Sequence, residues 1–99
     1  MFVNNRYLTR GIDEQVPIEL QIMLWSMVDN MPVEEKDYLQ VFELSSREKN
    51  GVKIQHIHHF QEQPEYSETA ELIFPVPITD KIYIIDDGDH STMLFASEY

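Results

Sequence analysis

With 99 residues, no cysteine, 42% apolar side chains and three glycines, the chain has the size of one compact domain, residues 1–99, and excludes a multidomain enzyme. Seven basic against eighteen acidic side chains leave a formal charge of −11, and Lys81 is the sole Lys or Arg after Lys53. That field repels phosphates, so it argues against nucleic-acid binding by a basic patch and against docking to an anionic membrane, while disulfides and thiolate chemistry are excluded outright.

The segment Arg6-Tyr7-Leu8-Thr9-Arg10-Gly11-Ile12 carries β-favouring residues and reads as a short strand entering a turn before Asp13-Glu14. Pro17 then suits the first turn of a helix, where its missing N–H has no partner to lose, and the pattern predicts a helix from Pro17 to Met31, stopped by Pro32. At 100° per residue Leu20, Leu24, Met27, Val28 and Met31 share one face, with Ile18, Ile22 and Trp25 adjoining it. An apolar arc wider than half the circumference calls for a curved sheet or a second layer around the helix.

After the acidic link Val33 to Asp37 the period changes. Tyr38 to Leu44 and Val52 to Gln61 read as strands about an Asn50-Gly51 reversal, the clearest hairpin in the chain. Gln63-Pro64-Glu65 makes a bend, and Thr69 to Phe74 is a third strand ended by Pro75-Val76-Pro77. Lys81 to Ile85 and Thr92 to Ala96 form a second hairpin around Asp86-Asp87-Gly88-Asp89. The order predicts an α+β fold: one main N-terminal helix packed on a curved, roll-like antiparallel sheet of about five or six strands.

Three stretches carry a resemblance: Asn5-Arg6-Tyr7-Leu8-Thr9-Arg10-Gly11-Ile12, Gln61-Glu62-Gln63-Pro64-Glu65-Tyr66, and His90-Ser91-Thr92-Met93-Leu94-Phe95-Ala96-Ser97-Glu98-Tyr99. Together they resemble a family of small proteins from Gram-positive bacteria known as a domain of unknown function. The resemblance spans nearly the whole chain and implies a small cytoplasmic bacterial domain, with no catalytic residue attached to it.

The sharpest chemical feature is His56-Ile57-His58-His59. On a strand His56 and His58 share a face with Ile54 and Phe60, and two imidazoles so placed suit zinc or a similar divalent ion if Glu43, Asp89 or His90 supplies a third donor. Hairpin register decides where they point. An even loop at Asn50-Gly51 puts Glu43 beside His56 and His58; an odd loop with a bulge puts Phe42 and Leu44 there. The odd register gathers Phe42, Leu44, Ile54 and Phe60 into one core face and is preferred on that ground, with His59 then pointing outward. His56, His58, Trp25 and Tyr38 would line a ligand pocket between sheet and helix. The simpler reading of the histidines is neutral, hydrogen-bonded core or rim residues.

Asp86-Asp87-Gly88-Asp89-His90 lacks the spacing and closing glutamate of a calcium loop and reads as a turn. Glu62, Glu65, Glu68 and Glu71 recur three apart across Pro64 and read as outer surface. No serine sits in a nucleophile elbow, and Gly11, Gly51 and Gly88 stand alone, so no phosphate-cradling loop exists. Glu43 with His58 as an acid–base pair ranks below binding. The expectation is a non-enzymatic cytoplasmic domain that binds a protein with a basic surface through an acidic or sheet-edge surface. No cofactor is expected. The alternative is a small-molecule or metal-binding domain, conceivably catalytic, centred on His56 and His58. No apolar run approaches a membrane span, and Met1 to Gly11 has no export pattern.

Overall fold

A computed structural model describes all residues, 1–99, as six strands and two helices. In chain order these are β1 (Asn5–Leu8), α1 (Arg10–Gln15), α2 (Ile18–Asp29), β2 (Leu39–Lys49), β3 (Val52–Gln61), β4 (Tyr66–Ile73), β5 (Asp80–Asp86) and β6 (His90–Phe95), with a closing 3₁₀ turn, Ala96–Glu98. Pro17 caps α2, its carbonyl accepting the N–H groups of Leu20 and Gln21, both at 3.1 Å. The buried stripe of α2 is Leu20, Leu24, Met27 and Val28, as the wheel predicts, and each such side chain contributes about 1.5–3 kcal/mol by leaving water.

Two expectations about this region need correction. The strand read through Ile12 ends at Leu8, because Thr9 accepts the Ile12 N–H at 3.4 Å and starts the short helix α1, which carries Ile12 fully buried into the core. Nor is the apolar arc of α2 wholly embraced: Ile18 and Ile22 are 59% and 61% exposed. Trp25 is half-buried on the flank of the helix beneath the Arg6 guanidinium, 4.6 Å from its ring. Arg6 also pairs with Asp29, so one side chain ties β1 to α2.

The strands lie in the order β1-β6-β5-β2-β3-β4, forming one open sheet whose end strands are β1 and β4. The sheet is mixed, not wholly antiparallel as expected, since β1 runs parallel to β6 with Asn5 opposite His90 and Leu8 opposite Met93. Parallel partners require a long crossover, and here nearly the whole domain intervenes, so no local pattern announces the pairing. Both helices serve one face. Phe42, Leu44, Ile57, Ile82, Ile84 and Met93 meet them there in a single core.

The β2–β3 hairpin turns in two residues. Lys49 stands opposite Val52, and Asn50 and Gly51 have φ of 52° and 80°, the paired positive angles of a type I′ turn. The loop is therefore even. Glu43 stands opposite His58 and Phe42 opposite His59, which overturns the preferred odd register and reverses the two faces assigned to the histidines. Ile54 and Phe60 leave the helix-side face, which takes Gln55, Ile57, His59 and Gln61 instead. No helix is long and apolar enough to cross a membrane.

Candidate functional site

The corrected register divides the histidine run between two environments. His59 is fully buried on the helix side, stacked on Phe42 with ring centroids 4.3 Å apart and planes 11° from parallel. Around it lies a hydrogen-bond chain whose direction is fixed by the backbone. Gln61 Nε2 donates to the carbonyls of Pro64 and Glu35, while its Oε1 accepts the Asp37 N–H at 2.8 Å. Gln40 Nε2 must then donate, to Gln61 Oε1 and the Asp37 carbonyl, which leaves Gln40 Oε1 facing His59 Nε2 at 2.7 Å.

His59 therefore carries its proton on Nε2, and its Nδ1 presents a lone pair. That Nδ1 has no hydrogen-bond partner and lies 3.8 Å from Glu68 Oε1, a second acceptor. Burial pushes the His59 pKa down to about 4, with Glu68 opposing the shift only in part. Glu68 accepts the Tyr66 hydroxyl at 2.8 Å, and burial together with that carboxylate pushes the phenol up to about 12. Gln40, His59 and Gln61 thus form a polar, uncharged network shut off from solvent, with the Glu68 carboxylate at its outer margin.

On the opposite face each imidazole meets its own carboxylate. His58 Nδ1 lies 3.0 Å from Glu43 Oε1, and His56 Nδ1 lies 3.4 Å from Glu71 Oε2. Glu71 also accepts Lys49 Nζ at 2.9 Å, and that ammonium, ahead of His56, holds its carboxyl below the usual range. His56 and His58 share a face as expected, but their acidic neighbours differ, and nowhere do three His, Asp or Glu side chains converge as metal ligands. Asp89 and His90 stand at the β5–β6 turn; His90 faces Asp87 at 3.1 Å and Tyr7 edge-on. Trp25 belongs to the helix side of the sheet, and Tyr38 lies 52% exposed before β2, so the four side chains assigned to one pocket are not brought together.

What the chain does form on the open face is a hollow of ≈390 Å³ between β3 and the turn into β4, walled by Glu43, His58, Phe60, Glu62, Glu65 and Tyr66. Three glutamates, Phe60 and one imidazole line it, with Tyr66 at its margin turning its hydroxyl to Glu68 on the helix side, and no lysine or arginine lines it. The turn that brings Glu62 and Glu65 to its rim is held from inside by Gln61 on the Pro64 carbonyl, at 2.7 Å, and by the Asp37 carboxylate on the Gln63 N–H, at 3.1 Å. The sealed network thereby positions the open hollow. Glu62 and Glu65, expected as outer surface, form the rim of this hollow.

The second acidic turn is spent on structure. Asp86 accepts the N–H groups of Phe2 and Gly88 and the Asn4 amide, at 2.6, 2.8 and 3.1 Å. Burial disfavours its charge, yet these donors hold its carboxyl below the ordinary range. Asp87 accepts from the backbone of Asp89 and His90, so both carboxylates serve the turn, with Gly88 at φ 102°.

In fold the chain is similar to a crystal structure described as a protein of unknown function from Enterococcus faecalis, with a TM-score of 0.71 and 24% identity, covering 97% of this chain and 91% of that one. No curated protein matches the chain. The model of one family, described as staphylococcal protein of unknown function (DUF960), matches residues 5–98, and the chain therefore belongs to that family of Gram-positive bacterial domains.

Proposed function

We propose that the chain is a non-enzymatic binding domain that receives a basic segment of another protein at the acidic hollow. The observation that carries this reading is the lining itself: Glu43, Glu62 and Glu65 beside Phe60, with no lysine or arginine among the lining residues. Carboxylates and ring faces both attract a lysine or arginine head, and the wider charge of −11 steers a cationic partner toward the molecule. Magnitudes set the class of contact. An exposed ion pair is worth about 0.2–1 kcal/mol and an exposed cation–ring contact about 0.5–1 kcal/mol, so the hollow alone supports weak, transient capture. A cytoplasmic setting goes with this reading, supported by the cysteine-free composition.

The test is calorimetric titration with a lysine-rich peptide and a neutral analogue at about 50 and about 300 mM salt, using wild type and the double variant Glu62→Gln with Glu65→Gln. Binding of the lysine peptide that weakens with salt and with the double variant supports the reading. Equal binding of both peptides, or none at low salt, overturns it.

A second reading is favoured by the Glu43–His58 contact in the same wall: a small cationic molecule or a divalent metal held there, with His58 as ligand or base. Zinc titration followed by thermal shift separates the two, because stabilisation that His58→Gln removes belongs to this reading alone.

A further inference from the structure

Strand β4 is paired along its full length on one side and by nothing on the other. Its register with β3 runs without interruption from Gln61 opposite Tyr66 to Ile54 opposite Ile73, so no bulge twists the edge away. Tyr66-Ser67-Glu68-Thr69-Ala70-Glu71-Leu72-Ile73 contains no proline or lysine to blunt its exposed edge, and its two charges, Glu68 and Glu71, are both acidic, so the edge repels anions and remains open to a cationic strand. Pro64 and Pro75 only bracket it. The other end strand, β1, is half as long, and its flank carries Arg6 and Arg10. Length and charge therefore distinguish the two edges: on the flank of the short β1, Arg6 and Arg10 are already paired with Asp29 and Glu14, whereas β4, with Glu62 and Glu65 at its entrance and Glu68 and Glu71 along it, attracts a cationic strand.

We propose that the basic segment binds by adding a strand to the free edge of β4, with two cationic side chains three residues apart opposite Glu68 and Glu71. This rests on the reading of a basic partner and supplies what the hollow lacks, namely main-chain hydrogen bonds. The spacing follows from the pleat. Glu68 shares the helix-side face with Tyr66, Ala70 and Leu72, whereas Glu71 shares the open face with Ser67, Thr69 and Ile73. Residues directly opposite them in an added strand are likewise three apart and point to opposite faces, giving basic-x-x-basic with the two middle residues over Thr69 and Ala70.

Glu68 is accessible to an incoming cation on one oxygen. Its Oε2 takes the Tyr66 hydroxyl, while its Oε1, on a side chain 39% exposed, lies 3.8 Å from the buried His59 Nδ1, beyond hydrogen-bond distance. Glu71 differs in being held by Lys49, an exposed ion pair that an incoming cation displaces.

Two peptides of about ten residues test the proposal, one with lysines at i and i+3 and one of equal composition with lysines at i and i+2, added to the ¹⁵N-labelled protein. The i, i+3 peptide binds more tightly and slows hydrogen exchange at alternate amides of Tyr66–Ile73. Thr69→Pro and Ala70→Pro change adjacent residues, one of whose N–H groups points to β3 and the other outward. The variant that keeps its melting temperature loses about tenfold in peptide affinity, as expected for a lost main-chain bond. Lys49→Met frees Glu71 and tightens binding about two- to threefold.

If neither proline variant folds, exchange in the wild type decides. Bound peptide that leaves β4 amides unprotected but is weakened by Glu62→Gln with Glu65→Gln overturns strand addition and leaves the hollow reading standing. Protected β4 amides with no effect of that double variant do the reverse. Protection that grows with protein concentration in the absence of peptide shows a second copy on the edge and overturns the peptide proposal.

Discussion

On one face of the sheet His59 stacks on Phe42 within a closed hydrogen-bond chain; on the other, its neighbour His58 stands half-buried beside Glu43 at the wall of an open hollow. Residue type does not separate them, and sequence position separates them by one. The pleat does, together with the two-residue turn at Asn50 and Gly51 that fixes which parity faces the helices. The comparison teaches that the sealed face stores stability and positions the acidic turn through Gln61, while the open face keeps carboxylates accessible.

The largest way to break the comparison is Phe42→Ala. It removes a fully buried ring that also covers His59, and the expected loss is about 3–5 kcal/mol in chemical denaturation. A loss under about 1 kcal/mol would show that this face is not sealed.

The pH dependence comes next. An unfolded imidazole binds its proton near 6.5, whereas folded His59 binds it near 4, so below 6.5 the unfolded chain takes up more protons. Stability is full above pH 6.5, falls by about 3 kcal/mol as the pH is lowered to about 4, and then gains no further contribution from this group. The Asp86 carboxylate, held below its ordinary range, adds its own loss at lower pH still. In His59→Gln most of the slope between pH 6.5 and 4 is lost, leaving the part due to Glu71 and Asp86; an unchanged slope in denaturant melts assigns it to other groups.

Gly51→Ala sharpens the role of the turn. No atom lies within 4 Å of an added Cβ, so the cost is conformational, about 1 kcal/mol from φ of 80°. A loss of several kcal/mol would mean that the register itself had slipped. Smallest is His58→Gln, expected to fall within about 0.5 kcal/mol of wild type because the side chain sits on the open face. A larger loss there would erase the contrast between the two histidines.

Much of this was legible in the chain. The helix expected over Pro17–Met31 spans Ile18–Asp29 with Pro17 as its cap, and the two hairpins turn at Asn50-Gly51 and within Asp86-Asp87-Gly88-Asp89, the stretches that marked them. The register was misjudged because counting apolar residues rewards Ile54 and Phe60, whereas the core face of β3 admits Gln55, His59 and Gln61. Their burial is tolerable because partners from distant segments bond them: Ile78 to Gln55, Gln40 to His59 Nε2, Glu35 and Asp37 to Gln61, leaving only His59 Nδ1 unbonded. Such partners are invisible to a periodicity. The turn chemistry did contain the answer, since Asn-Gly favours a two-residue type I′ loop over a bulged one. The parallel β1–β6 pair and the hollow depend on contacts across the fold and had no local signature, whereas the helix at Thr9 has a local cap that the reading of β-favouring residues passed over.

The most direct test is a backbone amide correlation spectrum of the ¹⁵N-labelled protein titrated with a lysine-bearing peptide at low salt. Shifts confined to Phe60–Ile73 and the facing residues about Glu43 are the predicted result. Shifts centred on β1 or α2, with Phe60–Ile73 unmoved, contradict the assignment of binding to this flank.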